Sequence, residues 1–168
     1  MADHNDNTRV QLLLEILSSA FQRPIPENWS DGWHSLLSNL RGVRDGDLDW
    51  VPPDGNRSIR HLAGHCGVCL LVYSGFGFGS GLTEWPRKFP PEVTGSKDKL
   101  VSWLVECHTT LSDALAACTD EQLDELRETW DVGDFRPRRW FVTTMIDHLL
   151  YHAGEINHIR ALGQKNDE

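Results

Sequence analysis

The chain has 168 residues, enough for one domain that buries a core and a site within it without disulfide staples. Its 25 acidic against 16 basic residues give a formal net charge of −9, and no useful Lys/Arg cluster appears, which argues against a phosphate-tracking surface and nucleic acid as a partner. No run approaches the roughly 20 apolar residues of a membrane span, and the N-terminal segment lacks a basic stretch followed by an apolar one, so the protein is expected in the cytoplasm, away from membranes.

Helical spacing predicts a first helix from Thr8 to Arg23, with Val10, Leu13, Leu14, Leu17 and Phe21 at intervals of three and four, stopped by Pro24 and Pro26. A second opens with Ser30 as N-cap and runs through Trp33, Leu36, Leu37 and Leu40 to about Val43, before the turn-rich stretch Arg44 to Asn56. A third starts at or close to Ser58 and fades at the alternating glycines Gly75, Gly77, Gly79 and Gly81. Gly75 to Gly95 then reads as a loop containing Trp85, Pro86, Phe89, Pro90 and Pro91, too long for a tight connection. Loops of this length in small domains are functional or disordered, and the aromatics favour one packed on the body near a pocket mouth. The glycines are not a phosphate loop, because no Gly-Lys-Ser/Thr and no strand-to-helix context accompany them.

Ser96 to Ala117 is an amphipathic helix through Leu100, Trp103, Leu104, Leu111 and Leu115, and Thr119 to Gln122 reads as the cap of a short turn. The last helix is expected from Arg136 to Leu162. With no strand alternation of useful length, the class is all-α: an up-and-down four-helix bundle with an extra N-terminal helix and a long Gly/Pro/aromatic loop. Residues 1–168 form one domain in this reading, with flexible ends at 1–7 and 164–168.

Chemistry concentrates on two helices. On the last, His148 and His152 lie four apart in the run His148-Leu149-Leu150-Tyr151-His152-Ala153-Gly154-Glu155, so both fall on one face, one turn apart. Phe141, Met145, Glu155, Ile156 and Ile159 share their arc of roughly 100°, while Asp147 and His158 fall outside it. On the third helix His65 lies on the apolar face with Leu62, Val68 and Val72, flanked by His61 and Cys69 at i−4 and i+4. Helices in a bundle pack about 8–10 Å apart, a gap that imidazoles from two of them bridge through one ion. Three neutral nitrogen ligands suit Zn²⁺ first, then Ni²⁺ or Fe²⁺, ahead of Mg²⁺ or Ca²⁺. The four cysteines, Cys66, Cys69, Cys107 and Cys118, are expected as reduced thiols, and Cys66-x-x-Cys69, inside a helical pattern, reads as buried rather than redox-active. His34, His108 and His158 are expected on solvated faces or near helix ends.

These residues resemble the DinB-like family, metal-binding four-helix bundles that include thiol-dependent transferases and isomerases. The aromatic and proline segment from Trp50, then Ser58-Ile59, then His65 seven residues after that serine, resembles one family pattern, and His148 to Ile156 resembles its HxxxHxGQI pattern. Trp103 to Glu125 is similar to the family's third helix, so the likeness covers roughly Trp33 to Leu162. The resemblance places the metal ligands at His65, His148 and His152. Two departures stand out. Glu155 replaces the commoner glutamine and could orient a ligand or bound water or act as a catalytic base. His61, which the family register does not require, is a further ligand, a proton carrier or a partly exposed residue at the bundle end.

Three protein ligands leave a position open for water or substrate, the arrangement of a catalytic rather than a structural site. The resemblance implies a metal-dependent transferase joining a low-molecular-weight thiol to small electrophiles. A hydrolase that activates water at the same ion and a non-catalytic metal-binding bundle are the alternatives. Relatives often pair, and seven tryptophans exceed the needs of the predicted core, so a homodimer is expected.

Overall fold

The computed structural model describes residues 7–23 and 34–164. Its elements in chain order are α1 (Thr8–Phe21), α2 (Leu36–Arg41), α3 (Ile59–Phe78), α4 (Lys97–Ala116), β1 (Leu126–Glu128), β2 (Phe135–Pro137) and α5 (Arg138–Gln164). α3 packs against α4 and α5, α1 packs against the same two from the other side, and short α2 lies on α5. The four long helices thus make the expected bundle, but with the N-terminal helix α1 as one of its members and short α2, not an extra N-terminal helix, as the additional element. The expected N-cap Ser30, Trp33 and most of the two expected flexible ends lie outside the described residues.

The starts of the helices follow capping chemistry. Ser58 Oγ accepts from the His61 N–H at 3.2 Å to open α3, and Ser96 Oγ accepts from the Lys99 N–H at 3.4 Å to open α4. α1 is capped from a distance: the Asp120 carboxylate accepts from the Arg9 and Val10 N–H groups, each at 2.9 Å. Asp120 belongs to the predicted cap, where the Thr119 N–H donates to Gln122 Oε1 and the Gln122 N–H donates to Thr119 Oγ1. Arg60 fixes the entry to α3, donating to Asp49 at 2.7 and 3.0 Å and to the carbonyls of Val93 and Gly95.

Two expectations are corrected. The third helix does not fade at Gly75 but runs to Phe78, so the loop begins at Gly79. Residues 126–137, read as lacking strands, contain an antiparallel hairpin pairing Leu126 with Pro137 and Glu128 with Phe135. α3 also has 20 residues and a mean hydropathy of 1.2 over its most apolar window, long and apolar enough by those measures to cross a membrane, although no such span was read from the sequence. Of that window 72% is buried inside the fold, so the apolarity belongs to a core helix.

Among the described residues the tryptophans find partners within the chain. Trp103 is buried; Trp50, Trp130 and Trp140 pack partly buried on the core; and Trp85 meets Trp130 edge-on at 5.4 Å. Tyr73 joins Trp130, Trp140 and Phe141 at centroid separations of 5.1, 6.1 and 6.3 Å.

Candidate metal centre

α3 and α5 bring His65, His148 and His152 together, with one ring nitrogen from each inside a group whose members all lie within 4.8 Å of one another. The rings meet edge-on, with centroids 4.9 Å apart for His65 and His148, 5.2 Å for His65 and His152, and 4.4 Å for His148 and His152. His65 Nε2 and His148 Nε2 are 3.1 Å apart. Two ligands about 2.0–2.1 Å from a tetrahedral ion stand roughly 3.4 Å apart, so this pair already has nearly the separation that chelation requires. The donor set fits a divalent transition metal.

Electrostatics keep two of these nitrogens available. Burial, reinforced by the neighbouring His152 and Arg57, pushes His65 from the ordinary histidine value of 6.5 down to about 4. Burial, followed by His152, His65 and Arg57, does the same for His148. Both are neutral at physiological pH, with lone pairs free to bind. His152 is almost fully enclosed, and its Nδ1 lies 2.5 Å from Glu155 Oε2. A carboxylate at that nitrogen holds the proton there and leaves Nε2 as the acceptor, the usual way a ligating histidine is oriented. Glu155 thus sits one turn beyond His152 on α5 and touches that histidine directly.

The flanking residues divide. His61 is exposed, turns its ring edge to Phe89 at 5.2 Å and stands outside the three-histidine cluster, which matches the reading of a partly exposed residue at the bundle end. Cys69 Sγ lies 3.7 Å from both ring nitrogens of His65, and burial pushes its thiol up to about 12. Cys66 is raised well above the ordinary thiol value by the same cause, and all four cysteines are free and buried. His34 and His158 are exposed as expected. His108 is not: it stacks on Phe21 of α1 with centroids 4.1 Å apart and planes within 9°, and burial pushes it down to about 4.

Three histidines held near 4 give the protein a pH signature. An unfolded chain protonates them near 6.5, whereas the folded chain resists until about 4, so stability is complete above 6.5 and falls as the pH drops towards 4. The carboxyl of Asp49, already held below 3.8 by its hydrogen bond to Arg60, adds its own loss only beneath that window. We expect the melting temperature of metal-stripped protein to decline between pH 6.5 and 4, and His108→Gln to make the decline shallower. A flat profile would contradict the burial of these rings.

A cavity of about 750 Å³ has Glu155, the partner of His152, on its wall, while His65, His148 and His152 themselves do not line it. Pro52, Asp54 and Arg57 of the segment before α3 form one wall, and Tyr151, Glu155 and Ile159 of α5 form another. No residue of the Gly/Pro/aromatic loop lines this cavity; Phe89 and Val93 of that loop pack on α3. Arg57 and Tyr151 went unremarked in the sequence. The usable signal for Tyr151 was a large aromatic beside His152 on the exposed side of α5, where it is 67% exposed.

Comparison with known proteins bears on the family and the fold. The sequence model of the DinB superfamily matches residues 28–156, a span containing all three histidines and Glu155. The fold is similar to the crystal structure of a DinB-like protein from Bacillus cereus ATCC 10987, with a TM-score of 0.61 and 20% identity over 79% of this chain and 85% of that one. At that identity the likeness is one of fold. No curated protein matches the chain.

Proposed function

The chain belongs to the DinB superfamily, and we propose that it is a metal-binding member acting as a transferase that joins a low-molecular-weight thiol to small electrophiles. The observation that carries this reading is the cluster of three imidazoles, from two packed helices, with ligand nitrogens within 4.8 Å of one another; Glu155, in contact with His152, lies on the wall of a cavity large enough for a small molecule. His65, His148 and His152 would hold the ion, zinc ahead of nickel or iron. When bound, it supplies Lewis acidity that favours the thiolate form of a ligating thiol.

The chain's residues account for the rest. Burial keeps His65 and His148 unprotonated, and Glu155 holds the proton of His152 on Nδ1. The wall of α5 at Tyr151 and Ile159 shields a bound reactant from water on one side. In such a reaction the thiol would give its proton to solvent, its sulfur would form a bond to the electrophilic carbon, and the electron pair displaced from that carbon would leave with the departing group or take up a proton from solvent. The chain's cysteines do not compete as nucleophiles, because burial raises their thiols. A hydrolase is the second reading, favoured by the position of Glu155 on the cavity wall, where it would accept a proton from water.

Metal content of the purified untagged protein, measured by plasma mass spectrometry, tests the first step, and about one equivalent of a transition metal is expected. Cobalt-substituted protein titrated with 2-mercaptoethanol should then develop a near-ultraviolet sulfur-to-cobalt band. A protein that neither carries metal nor takes up zinc or nickel sinks both enzymatic readings. Metal without a thiol response favours the hydrolase; a saturated coordination shell in a homodimer favours the non-catalytic bundle.

A further inference from the structure

The cavity holds one feature that metal binding does not explain. Its charged lining residues are Asp54, Arg57 and Glu155, with His158 at its edge. Glu155 is engaged by His152. Arg57, exposed to solvent, is the one arginine that lines this cavity, and no carboxylate or carbonyl among the described residues accepts from it. Asp54, three residues earlier on the same wall, makes no ion pair with it. A guanidinium presents five donors in a fork matched to a carboxylate, so an unpaired one on the wall of a small-molecule cavity is a ready anion anchor. Its charge is also felt at His65 and His148, which places it within electrostatic reach of the cluster.

We propose that Arg57 is the residue that selects ligands in this cavity, pairing with the carboxylate of an anionic small molecule whose other end lies at the three-histidine cluster. The proposal deepens the functional reading above and rests on it only for what happens at the cluster. Tyr151, edge-on to His152 at 5.1 Å and largely exposed, offers an apolar flank to the ligand between its two ends. The carboxylate can sit on the thiol or on the electrophile, and the geometry serves both.

Matched probe pairs separate these sources. The first pair is a series of ω-mercaptocarboxylates, from 3-mercaptopropionate to 6-mercaptohexanoate, against mercaptoalcohols of equal length, titrated calorimetrically into zinc-loaded protein. The second is maleate against dimethyl maleate, titrated into metal-stripped protein, where no ion can hold the carboxylate. At least one pair should favour the anion by about 10-fold or more, the usual worth of a hydrogen bond to a charged group. Arg57→Gln should abolish that preference while leaving zinc content and mercaptoalcohol affinity unchanged, and Arg57→Lys should restore part of it. Preference in the first pair alone assigns the carboxylate to the thiol, and preference in the second assigns it to the electrophile. Equal binding within both pairs, or a preference that survives in Arg57→Gln, overturns the proposal. Maleate binding that depends on Arg57 in a protein unable to bind metal would uphold it while the metal reading falls.

Discussion

Replacing His148 and His152 together by alanine should take bound metal from about one equivalent to near zero, and with it the rise in melting temperature that zinc confers on the wild type. The cluster contains three imidazoles, and the two on α5 are one turn apart on the same face. Removing both leaves His65 as a lone ligand, with Cys69 beside it held as a neutral thiol by burial. One imidazole has no chelate partner and cannot retain the ion through dialysis. The fold should survive, because His148 is only half-buried and the carboxylate freed by losing His152 belongs to Glu155, which is 36% exposed and stays hydrated. Zinc stabilises only a state that binds it, so thermal shift with and without zinc reads the same loss independently of mass spectrometry. A double variant that keeps its metal would remove the cluster from consideration.

The same pair of helices assigns Glu155 a role that substitutions can resolve. If its carboxylate positions His152 through Nδ1, Glu155→Ala should weaken metal binding by about 10–100-fold, the usual cost of losing such a partner. Glu155→Gln should stay near the wild type, because an amide oxygen can accept the same N–H. A general base behaves otherwise: the amide has no proton affinity, so the Gln variant would bind metal normally and lose turnover.

The histidines were legible in the sequence because α5 and α3 are regular helices, in which a spacing of four fixes a common face without knowledge of neighbours. Phe141, Met145, Ile156 and Ile159 are buried and Asp147 and His158 exposed, as that geometry requires. What escaped was set by distant contacts. His108 reads locally as a polar residue on α4, and its burial depends on Phe21 arriving from α1. The strands of the hairpin are three residues long with mostly exposed side chains, so no alternation marks them. They are held instead by the turn, where the Thr129 N–H donates to the Asp134 carbonyl at 2.8 Å and Gly133 adopts a φ of 86°. The cavity joins a loop before α3 to the far half of α5, a juxtaposition that local periodicity does not encode.

The glycine run shows the same limit and yields the sharpest stability test. Intrinsic propensity disfavours glycine in a helix by about 1 kcal/mol relative to alanine, which is why the run reads as a helix ending. In the structure α3 continues through Gly75 and Gly77, and the chain reverses only at Gly79 and Gly81, whose φ values of 80° and 108° suit glycine. The returning segment is drawn onto α3 when the Leu82 N–H donates to the Leu71 carbonyl at 3.0 Å. That bond lays Leu82 across Gly75, where an added Cβ would stand 1.8 Å from the Leu82 carbonyl oxygen. The obstacle is backbone and cannot rotate away, so overpacking of about 2–3 kcal/mol outweighs the propensity gain. Gly75→Ala should therefore be destabilising by about 1–2 kcal/mol net, a fall of several degrees in melting temperature for a chain of this size. Gly154→Ala is the control: it lies in α5 with no atom within 4 Å of the added Cβ, so the same chemical change should be stabilising by up to about 1 kcal/mol. Opposite signs at the two positions would show that the glycines of α3 are kept for close approach; a stabilising Gly75→Ala would mean that the loop does not cross the helix there.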